Sequence, residues 1–259
     1  MKNKKPEKEE LVELYVNKRL TTYEIADKYS VHRRSVNRWF KHYDIKVIPG
    51  QRKFEKIKKI PLTKEQKEMT IGMLLGDGFI GEHGRKNKSC RLHVGHSEKQ
   101  RELVYHQKSI VDSLVNNIKR RIDKRDGSVM LSFTTITHND FRFLRSLFYQ
   151  GNKKIIRPEL VNYMTEKSLA QWVMDDGSCG KCSMELHTEG FTEKENEMLR
   201  DMLRVKFKIV CKVRKIKRKN GKIYWCLSFN KKNSIILSNL VRKYIIDSMK
   251  YKILPLLND

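Results

Sequence analysis

Two nine-residue stretches constrain this chain more than anything else in it. "TIGMLLGDG" spans residues 70–78 and "LAQWVMDDG" spans residues 169–177, and their closing glycines stand 99 positions apart. Each is an apolar helical run closed by Asp-Gly, and matching landmarks follow each in the same order. Ser97 with Gln100, and Thr192 with Glu195, have the spacing of capping boxes that open amphipathic helices. The first of these helices carries Leu103, Gln107, Ile110, Val111, Leu114 and Ile118 on one face, the second Met198, Leu199, Met202, Leu203 and Val205. Strand-like runs come next, "SVMLSFTTIT" in one half, "KIVCKVRKIK" with "KIYWCLSFN" in the other. Asn139 and Asn233 then stand where a last helix in each half would be capped. The order helix, two strands, helix, two strands, helix therefore occurs twice, which predicts a duplicated αββαββα fold of the α/β (α+β) class.

Alternation in the strands assigns their faces. In "CRLHVGH", Cys90, Leu92 and Val94 point one way and Arg91, His93 and Gly95 the other; in "IVCKVRK", Ile209, Cys211 and Val213 oppose Lys212 and Arg214. One face packs on helices and the other is basic. Glu185 and His187 fall on the outward side of "SMELHTE", and Ile216 is out of phase, so the second sheet carries a partly acidic edge.

The motif acids raise a question of charge. A carboxylate at a helix C-terminus meets a macrodipole and free carbonyls that are already negative, at a cost of about 0.3 to 1 kcal/mol. A divalent cation reverses that sign. Asp77 and Asp176 would each offer a hard oxygen, beside carbonyls such as that of Gly76, to Mg²⁺, which keeps most of its waters and binds through one or two carboxylates plus phosphate oxygens. Asp126-Gly127 in "KRDGSV" shows the plainer use of the same dipeptide, a turn between strands; repetition in one context sets the two motif acids apart from it.

The balance of charge points to a polyanion. The 259 residues hold 56 Lys plus Arg against 30 Asp plus Glu, a net charge of +26. No apolar run reaches the roughly 20 residues of a membrane-spanning helix and no signal peptide opens the sequence, so the expectation is a cytoplasmic or organelle-matrix protein, not secreted and without a membrane partner. Five cysteines without a framework spacing read as reduced thiols.

The first 45 residues read as a separate unit. "KEELVELYVNKRLTTYEIADKYSVHRRSVNRWFKHYDI" gives a helix to about Lys18, a short helix capped by Thr21 or Thr22 and running through Tyr29, then a turn and a third helix from His32 to His42. Ile25, Ala26, Val31, Val36 and Phe40 are its apolar set, with Ala26 small enough for two helices to cross over a tight turn. This is similar to a helix-turn-helix, although Ser30 stands where glycine is usual. Its third helix displays Arg33, Arg34, Asn37 and Arg38, suited to phosphates and base edges in a major groove. A basic linker with two prolines and a glycine follows over residues 46–61.

With these residues in place, the chain resembles the single-chain LAGLIDADG homing endonucleases, preceded by a helix-turn-helix domain. "TIGMLLGDG" and "LAQWVMDDG" look like the two copies of the signature helix, and "SMKYKIL", residues 248–254, is similar to the C-terminal stretch of that subgroup. The resemblance runs from about Leu62 to Leu254, 193 of the 259 residues. It implies two LAGLIDADG repeats, residues 62–155 and 156–259, in a pseudo-twofold monomer whose signature helices pack side by side and whose saddle-shaped antiparallel sheets straddle double-stranded DNA. Asp77 and Asp176 would be catalytic and bind the metals, Mg²⁺ with Mn²⁺ as a substitute, while Ca²⁺ would support binding without cleavage. The implied product is a double-strand break with 3′ overhangs at a long asymmetric site. Lys212, Arg214, Lys215 and Lys217 are candidate assisting or phosphate-binding residues, with Arg91 and His93 on the first sheet.

The signature helices need small residues where they touch. Gly72 and Gly76 supply them in the first; the second has Gln171 and Asp175 at the corresponding positions, so its close approach falls to Ala170 or a shifted register. Asp175 stands between two roles, a helix-end group or an extra metal ligand. Cys179 and Cys182 form a CxxC that Cys211 or Cys226 could join in a zinc site, and the histidines of "LHVGH" and "ITHND" read as surface or capping residues. Two other functions use the same scaffold: a non-cleaving DNA-binding transcription regulator, and a maturase that binds intron RNA.

Overall fold

The structure is a computed structural model that describes residues 5–18, 20–45, 60–83 and 89–254. Contacts divide the chain into two units, Met1–Ile60 and Pro61–Asp259. The linker expected over residues 46–61 lies, but for its last two residues, outside the described residues.

In the first unit α1 (Lys8–Val12) continues as a π-helical turn over Glu13–Asn17, followed by α2 (Thr22–Lys28) and α3 (Arg33–His42). Thr21, not Thr22, is the cap of α2 and forms a full capping box with Glu24. Leu11, Leu14, Tyr15, Ile25, Ala26, Val36 and Phe40 form the core, with Val31 only half-buried against it. Ser30 takes the left-handed conformation, φ +50°, that the turn demands, and Val31 N–H donates to the Ala26 carbonyl across it at 2.9 Å. A serine thus closes α2 where glycine would do so without strain.

The second unit begins with α4 (Lys64–Leu75), capped by Thr63 and Gln66 in a reciprocal box. Residues 69–75 of α4 are all buried, and so are residues 168–175 of its counterpart. A helix without a polar face has protein on every side, so this pair occupies the centre. After α4 come β1 (Phe79–His83), β2 (Ser89–Ser97), α5 (Arg101–Ile110), β3 (Lys119–Ile122), β4 (Val129–Thr134) and α6 (Asn139–Phe148). A small hairpin, β5 (Tyr149–Gln150) with β6 (Lys153–Lys154), leads to α7 (Glu166–Asp176), β7 (Gly177–Cys179), β8 (Met184–Leu186), α8 (Glu193–Phe207), β9 (Lys212–Lys217), β10 (Ile223–Phe229) and α9 (Lys231–Val241). The two larger sheets are antiparallel with orders β1-β2-β4-β3 and β7-β8-β10-β9, one topology used twice. The αββαββα duplication read from the sequence is present.

Three expected caps are displaced. Ser97 opens a 3₁₀ turn over Glu98–Gln100 and accepts from Lys99 N–H at 3.4 Å, so no reciprocal box with Gln100 forms and α5 starts only at Arg101. His138 caps α6 by accepting from Asp140 N–H at 3.2 Å, which puts Asn139 inside the helix. Asn230 caps α9, and Asn233, three residues in, instead accepts from Val210 N–H at 2.8 Å through its side chain. Each true cap has extended backbone one step before the helix, the conformation that aims its side chain at the free N–H groups. The box of Thr192 with Glu195 forms as expected.

Candidate active site and nucleic-acid interface

The ends of α4 and α7 meet because α4 offers no side chain there. A Cβ on Gly72 would lie 2.4 Å from the Ser168 carbonyl oxygen and 2.5 Å from Gln171 Cβ; one on Gly76 would lie 2.4 Å from Asp175 Cβ. Gly72 and Gly76 are thus at the contact, as the sequence suggested. Ala170 is buried but is not what the glycines meet: Ser168, Gln171 and Asp175 fill that space, with no shift of register. The chain turns out of α4 at Gly76, leaving Asp77 just beyond it, whereas α7 runs through Asp176 and passes directly into β7.

Two lysines that sequence reasoning missed answer the charge at the helix ends. Lys154 Nζ donates to the carbonyls of Gly76 (3.1 Å) and Gly78 (2.8 Å), and Lys252 Nζ to those of Met174 (2.6 Å) and Asp175 (2.5 Å). The Gly76 carbonyl, expected beside a metal, therefore has a lysine on it. Lys154–Gly76 and Lys252–Met174 each span 78 residues, so the same device closes both halves. The signal was present as Lys-Ile-Ile at 154–156 and Lys-Ile-Leu at 252–254. Burial lowers both lysine pKa values, while the nearby acids act to hold their charge.

The acids differ sharply. Burial would raise the pKa of Asp77, but the hydrogen bond and charge of His96, with Lys252 and Lys154, outweigh it and hold the carboxyl below its usual value. Its side chain remains 53% exposed. Asp176 is pushed to about 8 by burial and by Asp175 and Asp77, against the pull of the two lysines. Asp175 is raised to about 7, chiefly by burial. Its Oδ1 accepts from Gln107 Nε2 (2.7 Å) and Gln171 Nε2 (3.0 Å), and its Oδ2 is buried without a hydrogen-bond partner. Asp175 therefore belongs to the packed layer between the helices.

His96 corrects the reading of "LHVGH" as surface or capping residues. Its side chain is 1% exposed, with Nδ1 3.2 Å from Asp77 Oδ2 and Nε2 3.0 Å from Gln107 Oε1. The alternation that buries Cys90, Leu92 and Val94 carries on to His96 and could have found it. Burial acts to lower its pKa, but Asp77 and Asp175 outweigh this and raise it.

The donor set fits a hard cation of one kind. Among the described residues no group of three or more His, Cys, Asp or Glu could hold a metal ion, which leaves the CxxC of half-buried Cys179 and exposed Cys182 without further ligands. Asp77 uses only Oδ2 toward His96. Oxygen donors this few are too little for zinc but suit a hard divalent cation completed by phosphate and water.

The sheets present open faces of different chemistry. On the first, Arg91, His93 and Gly95 share the open face with Phe79, which stacks on His93 at 4.6 Å between centroids, and with Lys119 and Arg121. On the second, Lys212 and Arg214 share a face, whereas Lys215 and Lys217 have the opposite parity, and Lys215 Nζ lies 5.7 Å from the centre of the Trp225 ring. Glu185 pairs with Arg214 at 2.7 Å, so much of the acidic edge is neutralised in place. In the first unit Arg34, Asn37 and Arg38 are exposed on α3, while Arg33, also exposed, is held to Thr22 (3.1 Å) and Tyr23 (3.0 Å).

A model of the LAGLIDADG DNA endonuclease family matches residues 67–237. The protein named "Probable intron-encoded endonuclease 1" of Wickerhamomyces canadensis is 35% identical over 207 residues, covering 74% of this chain and 85% of that one. "Cytochrome b mRNA maturase bI2" of Debaryomyces hansenii is 28% identical over 201 residues, with 74% and 75% covered. Among solved structures, "The homing endonuclease I-WcaI bound to its DNA recognition sequence" superposes with a TM-score of 0.69 at 32% identity, covering 81% of this chain and 96% of that chain.

Proposed function

The chain belongs to the LAGLIDADG DNA endonuclease family and is a site-specific endonuclease of the homing type, and we propose that Asp77 and Asp176 are its two cleavage carboxylates, one for each strand of a long asymmetric duplex. The observation that carries this reading is their matched placement just past the contact of the two central helices, each closed by a lysine at the same sequence separation, Lys154 half-buried and Lys252 buried. Mg²⁺ held by Asp77 and Asp176, with phosphate oxygens and water, would stabilise charge developing on the phosphate and lower the pKa of a bound water. The remaining work falls to the chain's own groups. Lys154 and Lys252 pin the helix-end carbonyls, which fixes where the acids point and sets a positive charge near each. His96 holds one oxygen of Asp77 and leaves the other for the cation.

DNA lies along the open sheet faces in this reading, with Arg91, His93, Lys119, Arg121, Lys212 and Arg214 tracking phosphates and base edges. The helices at residues 8–42 act as a helix-turn-helix in which Arg34, Asn37 and Arg38 face DNA and Arg33 braces the domain, holding the nuclease near its site at high effective concentration. Similarity to a protein named as a maturase makes intron RNA a second ligand to test.

The deciding experiment uses DNA flanking the gene of this protein, in its uninterrupted form, with wild type, Asp77→Asn and Asp176→Asn. Wild type with Mg²⁺ is expected to cut both strands, and each variant to lose one strand by at least about a hundredfold while binding normally in Ca²⁺. Specific binding without cutting in Mg²⁺ or Mn²⁺ would overturn the nuclease reading and favour a regulator or maturase.

A further inference from the structure

The lysine contacts occur once in each half, but a second buried contact does not. His96 lies on β2 and Gln107 on α5, both in the first half, and together they reach Asp175 on α7 of the second. The polarity of the chain of bonds is fixed at its far end. Gln107 Nε2 donates to Asp175 Oδ1, so its Oε1 must accept from His96 Nε2–H, and Nδ1 is left facing Asp77 Oδ2. His96, Gln107 and the Asp175 side chain are sealed from solvent, so no water competes for these groups.

The second half lacks the counterpart. Extending the β1–β2 register puts His96 opposite Gly76, and extending β7–β8 puts Thr188 opposite Asp175, the equivalent position. Thr188 donates instead to Asn196 and to the Trp225 carbonyl, both in its own half. Among the described residues neither Thr188 nor Asn196 makes a hydrogen bond to the first half.

Resting on the endonuclease reading, we infer that His96 and Gln107 are positioning residues that set the end of α7 from across the molecule, so that cutting by the Asp176 side depends on first-half residues while cutting by the Asp77 side does not depend on Thr188 and Asn196. Through this hydrogen-bonded bridge the coupling runs in one direction. Removing the Gln107 amide takes away the one of the two hydrogen bonds on Asp175 Oδ1 that comes from the first half, which loosens the side chain beside Asp176, while the direct contact of His96 with Asp77 persists.

The test follows each strand separately on a supercoiled target, with strands assigned to acids by Asp77→Asn and Asp176→Asn. Gln107→Leu, which keeps the volume and removes the amide, is expected to slow the Asp176 strand about tenfold to a hundredfold and the Asp77 strand by less than about threefold, so that nicked circle accumulates. Thr188→Val removes a buried polar group of the second half and should leave the Asp77 strand at the wild-type rate. Equal slowing of both strands by Gln107→Leu, or slowing of neither, overturns the inference. A second measurement needs neither metal nor cleavage. In ¹⁵N-histidine spectra of the metal-free protein the His96 ring N–H signals should be protected from exchange, and the isosteric Asp175→Asn should shift them. Ring signals indifferent to Asp175→Asn would refute the bridge even if wild type cut no DNA, an outcome that would separately sink the nuclease reading.

Discussion

Helix α4 brings Gly72 and Gly76 to the central contact, whereas α7 brings Ser168, Gln171 and Asp175, so the two halves share a topology but not a surface. Two copies of α4 would face each other across unfilled space, and two copies of α7 would press buried amides and carboxyls together. The contact works because one helix is hollow where the other is full. Duplication supplied the architecture, and divergence made the halves complementary.

Gly76→Ala attacks that complementarity most directly. The added Cβ would sit 2.4 Å from Asp175 Cβ and 2.6 Å from its Oδ2, so chemical denaturation should show a loss of about 1 to 3 kcal/mol or more. Adding Asp175→Gly should return part of that loss, because residues in contact do not add. If the two changes simply add, the helices do not interlock as described.

A finer probe uses pH, because the motif acids have opposite signs. Asp176, at about 8, binds its proton more tightly folded than unfolded, so it removes stability as pH rises from its usual 3.8 to about 8. Asp175, at about 7, acts in the same sense. Asp77, held low, contributes stability that is present above its unfolded value and lost as pH falls through the folded one. Metal-free protein should therefore lose part of its stability between pH 5 and 8, and Asp176→Asn should reduce that loss more than Asp77→Asn, which removes only the share of the upward shifts that the Asp77 charge supplies. Identical profiles for the two variants would erase the distinction between the halves. The smallest effect concerns the second sheet. Lys212→Ala should lower the salt slope of DNA binding in Ca²⁺ by about one, and Lys215→Ala, on the opposite parity, should leave it unchanged.

Much of this arrangement was legible in the sequence, for a physical reason. Asp-Gly after an apolar run, the spacing of strands and the basic alternation are local patterns, and local patterns survive without a third dimension. Caps were less legible, since Asn230 and Asn233 are the same residue type three positions apart, and Asn139 is a more usual cap than the His138 that takes the role. Lys154 and Lys252 were hidden among 56 basic residues, because what distinguishes them is burial against carbonyls of a helix 78 residues earlier. His96 lay within reach of the alternation rule, but its partners come from three other segments, and no spacing announces them.

The paired lysines also bear on how the chain reaches its final form. Each ties the tail of a half to the end of the helix that began it, closing a loop of 78 residues, and contacts this distant in sequence make folding slow relative to local ones. Neither helix end can shed its water until that loop shuts, so contacts distant in sequence are the ones that complete the sites. A partly folded chain would hold its acids without the lysines that aim them, and cutting competence would arrive together with the native state.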